Sequence, residues 1–162
     1  MLGDGGLLAR LGGDEFAVVV PFAPSQSEAV ERLVEALIAA VGQPVLFDGL
    51  ALETTISAGI SRSDSDGAAT PQTLLHKADI AMYQAKRNGR NQLVWFEPSM
   101  ESELRFRSEL ENGIRRGIPA GEFVPYYEKQ IDLESGELVG FEMLARWNSP
   151  KLGMIGPETF IP

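Results

Sequence analysis

Arg10-Leu11-Gly12-Gly13-Asp14-Glu15-Phe16 decides how this chain is read, because two glycines run straight into two adjacent carboxylates. Leu7 to Leu11 on one side and Phe16 to Val20 on the other are short apolar runs of strand type, so a hairpin is expected to reverse at Gly12-Gly13. Glycine lacks a Cβ, which permits the tight turn and lets a ligand approach the backbone. Asp14 and Glu15 bring two hard oxygen donors to the same tip, a pairing that suits a nucleotide phosphate held through Mg²⁺. A solvated Gly-Gly hairpin with an acidic tip is the plain alternative.

Outward from this hairpin, Ser25 to Val41 has Ala29, Val30, Leu33, Val34, Leu37, Ile38 and Val41 at helical spacing, and Gly42 closes it. Val45–Phe47 and Leu52–Ile60 read as two strands separated by Asp48-Gly49. Ser61 to Ala69 is a polar loop. Thr70 and Pro71 form an N-cap and first-turn pair that opens a helix running to about Asn88 and ending at Gly89. Gln92 to Phe96 supplies one more strand. Pro98 to Gly117 is charged and helical in pattern, with Met100, Leu104, Leu110 and Ile114 as a narrow apolar stripe that fits a connecting helix better than a core one.

Two further strands flank Glu134-Ser135-Gly136. If this is a three-residue loop with Gly136 in the left-handed position, Leu133 pairs with Glu137 and Glu128 then faces Glu142. Strand alternation puts Glu142, Leu144 and Arg146 on one face, a carboxylate for a metal and a guanidinium for a phosphodiester. A surface-strand role is the plain account of Arg146.

The bulk composition narrows the function classes. A formal charge of −9 with only 14 lysines and arginines in 162 residues excludes the basic face that nucleic-acid binding needs. The absence of cysteine removes disulfides and thiolate zinc sites and is compatible with a reducing compartment. The single histidine, His76, lies in the middle of a helical pattern with no nucleophile motif beside it. No apolar run approaches the roughly 20 residues of a membrane helix, and Met1 opens no signal-peptide pattern.

Gly12-Gly13-Asp14-Glu15-Phe16 resembles the signature of the GGDEF family, the diguanylate cyclases that condense two GTP into cyclic di-GMP. The stretch from Leu74 to Asn91, ending Lys86-Arg87-Asn88-Gly89-Arg90-Asn91, is similar to the closing helix of that domain. Phe123 to Trp147, with Pro150-Lys151-Leu152-Gly153 and Phe160-Ile161-Pro162, resembles the opening of an EAL domain, the cyclic di-GMP phosphodiesterase that often follows GGDEF. The EAL family carries Glu-Ala-Leu-x-Arg-Trp, and this chain reads Glu142-Met143-Leu144-Ala145-Arg146-Trp147. Met143 replaces the alanine on the face opposite Glu142, so packing is affected more than chemistry.

The resemblance implies an α/β fold in both parts. The C-terminal part of a GGDEF domain occupies 1–97, a linker helix 98–120, and the opening hairpin of an EAL α/β barrel 121–162. The segment is expected to be a window across a domain junction, inactive alone because each site has only part of its ligands. By the same resemblance Asp14 and Glu15 are catalytic metal-site residues for Mg²⁺ or Mn²⁺, Glu15 or its neighbour helps to activate the attacking hydroxyl, and Gly12 and Gly13 lie against the nucleotide. Lys86 and Arg90 match phosphate contacts, although a cation in a last helical turn is also favoured by the helix dipole. Glu142 is the corresponding catalytic metal ligand of the EAL site, with Leu144 and Arg146 as substrate contacts.

Two departures stand out. Glu128 occupies a place where the EAL family usually has glutamine, and two carboxylates directly opposite repel unless a cation sits between them. It is therefore either an added metal ligand or a mark of altered phosphodiesterase chemistry. Family members also often carry an inhibitory Arg-x-x-Asp ahead of the signature, and those positions are Gly3 and Gly6 here, so product inhibition at that place is expected to be absent. The implied partners are GTP and cyclic di-GMP, with a GGDEF homodimer needed for cyclase activity, no nucleic acid and no membrane contact in this segment. The implied location is cytoplasmic, with membrane tethering of the parent protein through a region upstream of Met1 left open. The rival reading is a catalytically silent, GTP-sensing GGDEF module that regulates an EAL phosphodiesterase.

Overall fold

A computed structural model describes residues 5–64 and 70–161. Gly3, part of the polar loop and Pro162 lie outside the described residues. The chain divides into two compact units, Met1–Ser102 and Glu103–Pro162. Both mix helix and sheet.

In the first unit, β1 (Leu7–Gly12) and β2 (Glu15–Val19) form an antiparallel hairpin. Helix α1 (Ser27–Val41) starts later than the apolar spacing implies, because Pro24–Gln26 first makes a single 3₁₀ turn. Strands β3 (Val45–Phe47) and β4 (Leu50–Leu52) make a second hairpin through Asp48 and Gly49, both left-handed at φ 48° and 78°. That is the pattern of a type I′ turn. The expected Leu52–Ile60 strand is instead split, with β4 ending at Leu52 and β5 (Ala58–Ile60) pairing elsewhere. Continuing the ladder would set Glu53 opposite Pro44, which has no N–H to donate.

Strand β5 runs parallel to β6 (Leu93–Trp95), and helix α2 (Pro71–Arg87) connects them. Thr70 caps this helix, its Oγ1 accepting from the Thr73 N–H at 3.1 Å, with Pro71 in the first turn. Ile80, Ala81 and Ala85 give α2 its buried stripe. Gly59 lets the helix lie directly on the strand, since a Cβ there would overlap the Ala78 carbonyl and the Met82 amide. The Trp95 Nε1–H donates to Glu31 Oε1 at 2.7 Å and so ties β6 to α1.

Helix α3 spans Pro98–Gly117, and against the reading of its stripe as fitting a connecting helix better than a core one, Leu110 and Ile114 pack into the core of the second unit. There β7 (Phe123–Ile131), β8 (Leu138–Ser149) and β9 (Gly153–Ile155) form an antiparallel sheet in that order, followed by the single turn α4 (Pro157–Phe160). Leu110 of α3 joins Trp147 and Ile155 in the core, with Ile114, Phe123, Leu152 and Phe160 packed around them. Trp147 is fully buried, stacks on Phe123 at 5.3 Å between ring centroids, and donates its indole N–H to Glu122 Oε2 at 2.9 Å. Gly113 and Gly117 leave the notch on α3 that receives the indole: a Cβ would lie 2.8 Å from Cζ2 at Gly113 and 2.9 Å from Nε1 at Gly117.

Candidate functional site

The β1–β2 hairpin reverses one residue later than expected. Gly12 is the last residue of β1 and pairs with Glu15, so the turn is Gly13-Asp14, with Gly13 left-handed at φ 53°. The shift arises from an irregularity between Arg10 and Gly12, where Leu11 is the extra residue of a bulge that twists the strand end. Asp14 is thus a turn residue and Glu15 the first residue of β2, and both are exposed. Among the described residues, no heavy atom beyond the chain neighbours lies within 4 Å of a Cβ placed on Gly12 or Gly13, so the space over the turn is open.

Arg10 has no role in the sequence reading beyond its place in the string. Its Nε and Nη2 both donate to the Gly13 carbonyl, at 2.9 and 2.7 Å, and its guanidinium lies 5.9 Å from the Phe16 ring centroid. Arg10 and Phe16 are direct cross-strand partners, and that pairing was the available signal.

Lys86 lies in the last turn of α2 and is exposed. Arg90 follows Gly89, and its N–H bonds the Ala85 carbonyl at 3.0 Å, closing the helix as a Schellman motif does. Gly89, Arg90 and Asn91 are left-handed in succession, at φ 110°, 63° and 51°. Such a run is rare for side-chain-bearing residues and concentrates at functional sites. Among the described residues, Asp14, Glu15, Lys86 and Arg90 form no ion pair with one another.

In the second unit the register sets Glu128 directly opposite Glu142, as expected, but by a different route. Leu133 and Glu137 do not pair. Instead Asp132 N–H donates to the Glu137 carbonyl and Gly136 N–H to the Asp132 carbonyl, each at 2.9 Å, enclosing a four-residue loop. A bulge opposite Gln130 and Ile131, at Val139, takes up the extra residue and restores the frame. Gly136 is left-handed at φ 72°. Asp132 Oδ1 accepts from the Ser135 N–H, the Ser135 hydroxyl and the Glu134 N–H, and these bonds hold its carboxyl below the usual carboxylate range.

Alternation puts Glu128 and Tyr126 of β7 on the same face as Glu142, Leu144 and Arg146 of β8. The Arg146 guanidinium lies 5.7 Å from the Tyr126 ring and donates to the Ala145 carbonyl at 3.0 Å. Tyr126 is a neighbour the sequence reading passed over. Trp147 occupies the opposite face, so the core and the candidate site take the two sides of one strand.

The donor chemistry at both places is carboxylate oxygen, which fits a hard divalent cation. Among the described residues no three His, Cys, Asp or Glu side chains group to hold one. Also among the described residues, no helix is long and apolar enough to cross a membrane.

Residues 1–92 match the family described as diguanylate cyclase, GGDEF domain, and residues 111–162 match the EAL domain. The chain is 40% identical over 154 residues to an uncharacterized signaling protein of Caulobacter vibrioides, covering 95% of this chain and 19% of that protein. It is 33% identical over 155 residues to the bifunctional diguanylate cyclase/cyclic di-GMP phosphodiesterase MucR of Pseudomonas aeruginosa, covering 96% and 22%. The chain therefore spans about a fifth of the length of these relatives. Its structure is similar to the GGDEF domain of TpbB (YfiN) from Pseudomonas aeruginosa, with a TM-score of 0.57, 39% identity, and coverage of 64% of this chain and 60% of that one.

Proposed function

The chain belongs to the GGDEF family of cyclic di-GMP signalling and runs on into an EAL domain, and from that premise we propose that the full-length protein makes cyclic di-GMP at the β1–β2 hairpin and hydrolyses it at the β7–β8 face. One observation carries the cyclase reading: Asp14 and Glu15 follow a left-handed Gly13 as exposed residues of the hairpin tip, where the space over Gly12 and Gly13 is open. In the reaction a 3′-hydroxyl attacks the α-phosphate of a second GTP, its proton is removed, and pyrophosphate leaves. A second such displacement closes the ring. Positioning and charge neutralisation do most of this work.

Asp14 and Glu15 are the residues that would hold Mg²⁺ or Mn²⁺, which when bound neutralises the developing phosphate charge. Gly12 and Gly13 admit the nucleotide to the backbone. Lys86 and Arg90 supply cations for the phosphates, and the left-handed run fixes where the Arg90 backbone leaves the helix. On the β7–β8 face, Glu142 is the proposed metal ligand and Arg146, held against Tyr126, the diester contact, beside Leu144. The boundaries 1–97, 98–120 and 121–162 and the need for a GGDEF homodimer belong to the same proposal.

The test is Asp14→Ala with Glu15→Ala in the full-length protein. Cyclic di-GMP formation from GTP is expected to fall to the no-enzyme level while the melting temperature holds, because both acids lie outside the core. Parental rates in the double variant would overturn the cyclase assignment. A wild-type protein that forms no product, yet hydrolyses cyclic di-GMP faster when GTP is added, would establish the GTP-sensing module instead.

A further inference from the structure

We infer that Arg10 is a positioning residue for the acid tip, holding the Gly13–Asp14 peptide in the plane that aims both carboxylates. The inference rests on the cyclase reading above and adds a residue to it. The Gly13 carbonyl belongs to the same planar unit as the Asp14 N–H and Cα, so fixing that oxygen fixes the direction in which the chain enters Asp14. Arg10 fixes it with two donors on one oxygen, Nε at 2.9 Å and Nη2 at 2.7 Å.

The guanidinium is itself steadied by Phe16. Its own strand position is opposite Phe16, and it lies over the Phe16 ring at 5.9 Å. The Leu11 bulge lies between Arg10 and the turn, where a bulge re-aims the residues beyond it. Beyond the Gly12–Glu15 pair that closes the turn, no described atom other than those of its chain neighbours comes within 4 Å of the Gly13 Cβ position, so Arg10 is the side chain that braces this left-handed turn. Lysine cannot reproduce the contact, because an ammonium is a point donor without the planar fork. Methionine keeps a comparable apolar stem and has no donor.

The experiment compares Arg10→Met and Arg10→Lys with wild type in the full-length protein, reading kcat, KM for GTP and melting temperature. Arg10→Met is expected to lower kcat about tenfold or more, to change KM less than about twofold, and to move the melting temperature by no more than about 2 °C. Arg10→Lys is expected to recover only part of kcat. Unchanged kcat in Arg10→Met overturns the inference. So does a loss carried by KM, which would make Arg10 a direct nucleotide contact, or full recovery by lysine, which would mean that charge alone suffices. The Asp14/Glu15 double variant separates the failures: if it remains active, the cyclase reading fails, and if it is dead while Arg10→Met is normal, only the positioning role fails.

Discussion

The two hairpins that carry the signature acids are held in opposite ways. At β1–β2 everything that shapes the tip lies within seven consecutive residues: the Leu11 bulge, the left-handed Gly13, and Arg10 reaching three residues ahead to the Gly13 carbonyl. At β7–β8 the acids lie in mid-strand, and the strand that bears Glu142 is anchored five residues on by Trp147, whose packing partners come from α3, β9 and α4. A locally built tip is sensitive to single nearby changes and indifferent to distant ones. A strand-borne site answers to its core.

The largest test of that contrast is Trp147→Ala. Removing a fully buried indole that fills the Gly113–Gly117 notch and bonds Glu122 should cost about 3–5 kcal/mol in the second unit, seen as an early transition in thermal or urea unfolding. If the variant unfolds with a wild-type profile, Trp147 does not anchor β8. Gly59→Ala comes next, because a methyl there meets the backbone of α2 and can be relieved only by moving the helix. Overpacking of this kind costs about 1–3 kcal/mol. The β1–β2 hairpin should keep its shape in this variant, and amide exchange at residues 8–18 that rises to match α2 would break the claim of local construction.

A smaller effect is expected from Glu128→Gln. Two unit charges about 5 Å apart at an effective dielectric near 20 repel by roughly 3 kcal/mol, and solvent reduces this strongly for an exposed pair. The substitution should lower KM for cyclic di-GMP by about twofold to fivefold at low salt, with the gain shrinking as salt is added. Weaker divalent-ion binding by the variant would show instead that Glu128 is a ligand. The smallest effect concerns Asp132, whose carboxyl is depressed by bonds from Ser135 and Glu134. A depressed carboxyl stabilises the folded loop above its ordinary value of 3.8, and that contribution is lost as pH falls through the lower folded value. Amides of Glu134 and Ser135 should therefore lose protection below about pH 4, and Asp132→Ala should remove the pH dependence.

The same contrast decides what could be read in advance. The acid tip was legible because glycine and carboxylate chemistry is local, and only its centre was misplaced by one residue, since a bulge at Leu11 leaves no mark in composition. Helices α2 and α3 were legible from Thr70-Pro71, Gly89 and the charged period of 98–117. Leu52–Ile60 was not, because its apolar alternation runs on where Pro44 stops the partner strand. The Glu128–Glu142 pairing follows from the sequence even though the loop has four residues rather than three, because the bulge at Val139 offsets the extra residue. Contacts made by shape, such as Arg10 on the Gly13 carbonyl, Tyr126 beside Arg146 and Trp147 in its glycine notch, carry no periodic signal.

The β3–β4 hairpin bears on how this polypeptide behaves in a tube. Val45, Leu46, Phe47, Leu50 and Leu52 are all more than half exposed, on short strands that among the described residues form a two-stranded sheet of their own. Their outer edges offer free backbone donors and acceptors to any other extended chain. Low charge and apolar side chains on such an edge favour intermolecular sheet growth, whereas the net charge of −9 opposes it through mutual repulsion. Preparations of these 162 residues should accordingly stay clear in dilute buffer of low ionic strength and turn turbid as salt or acid removes that repulsion, and a lysine in place of Leu46 should delay the onset.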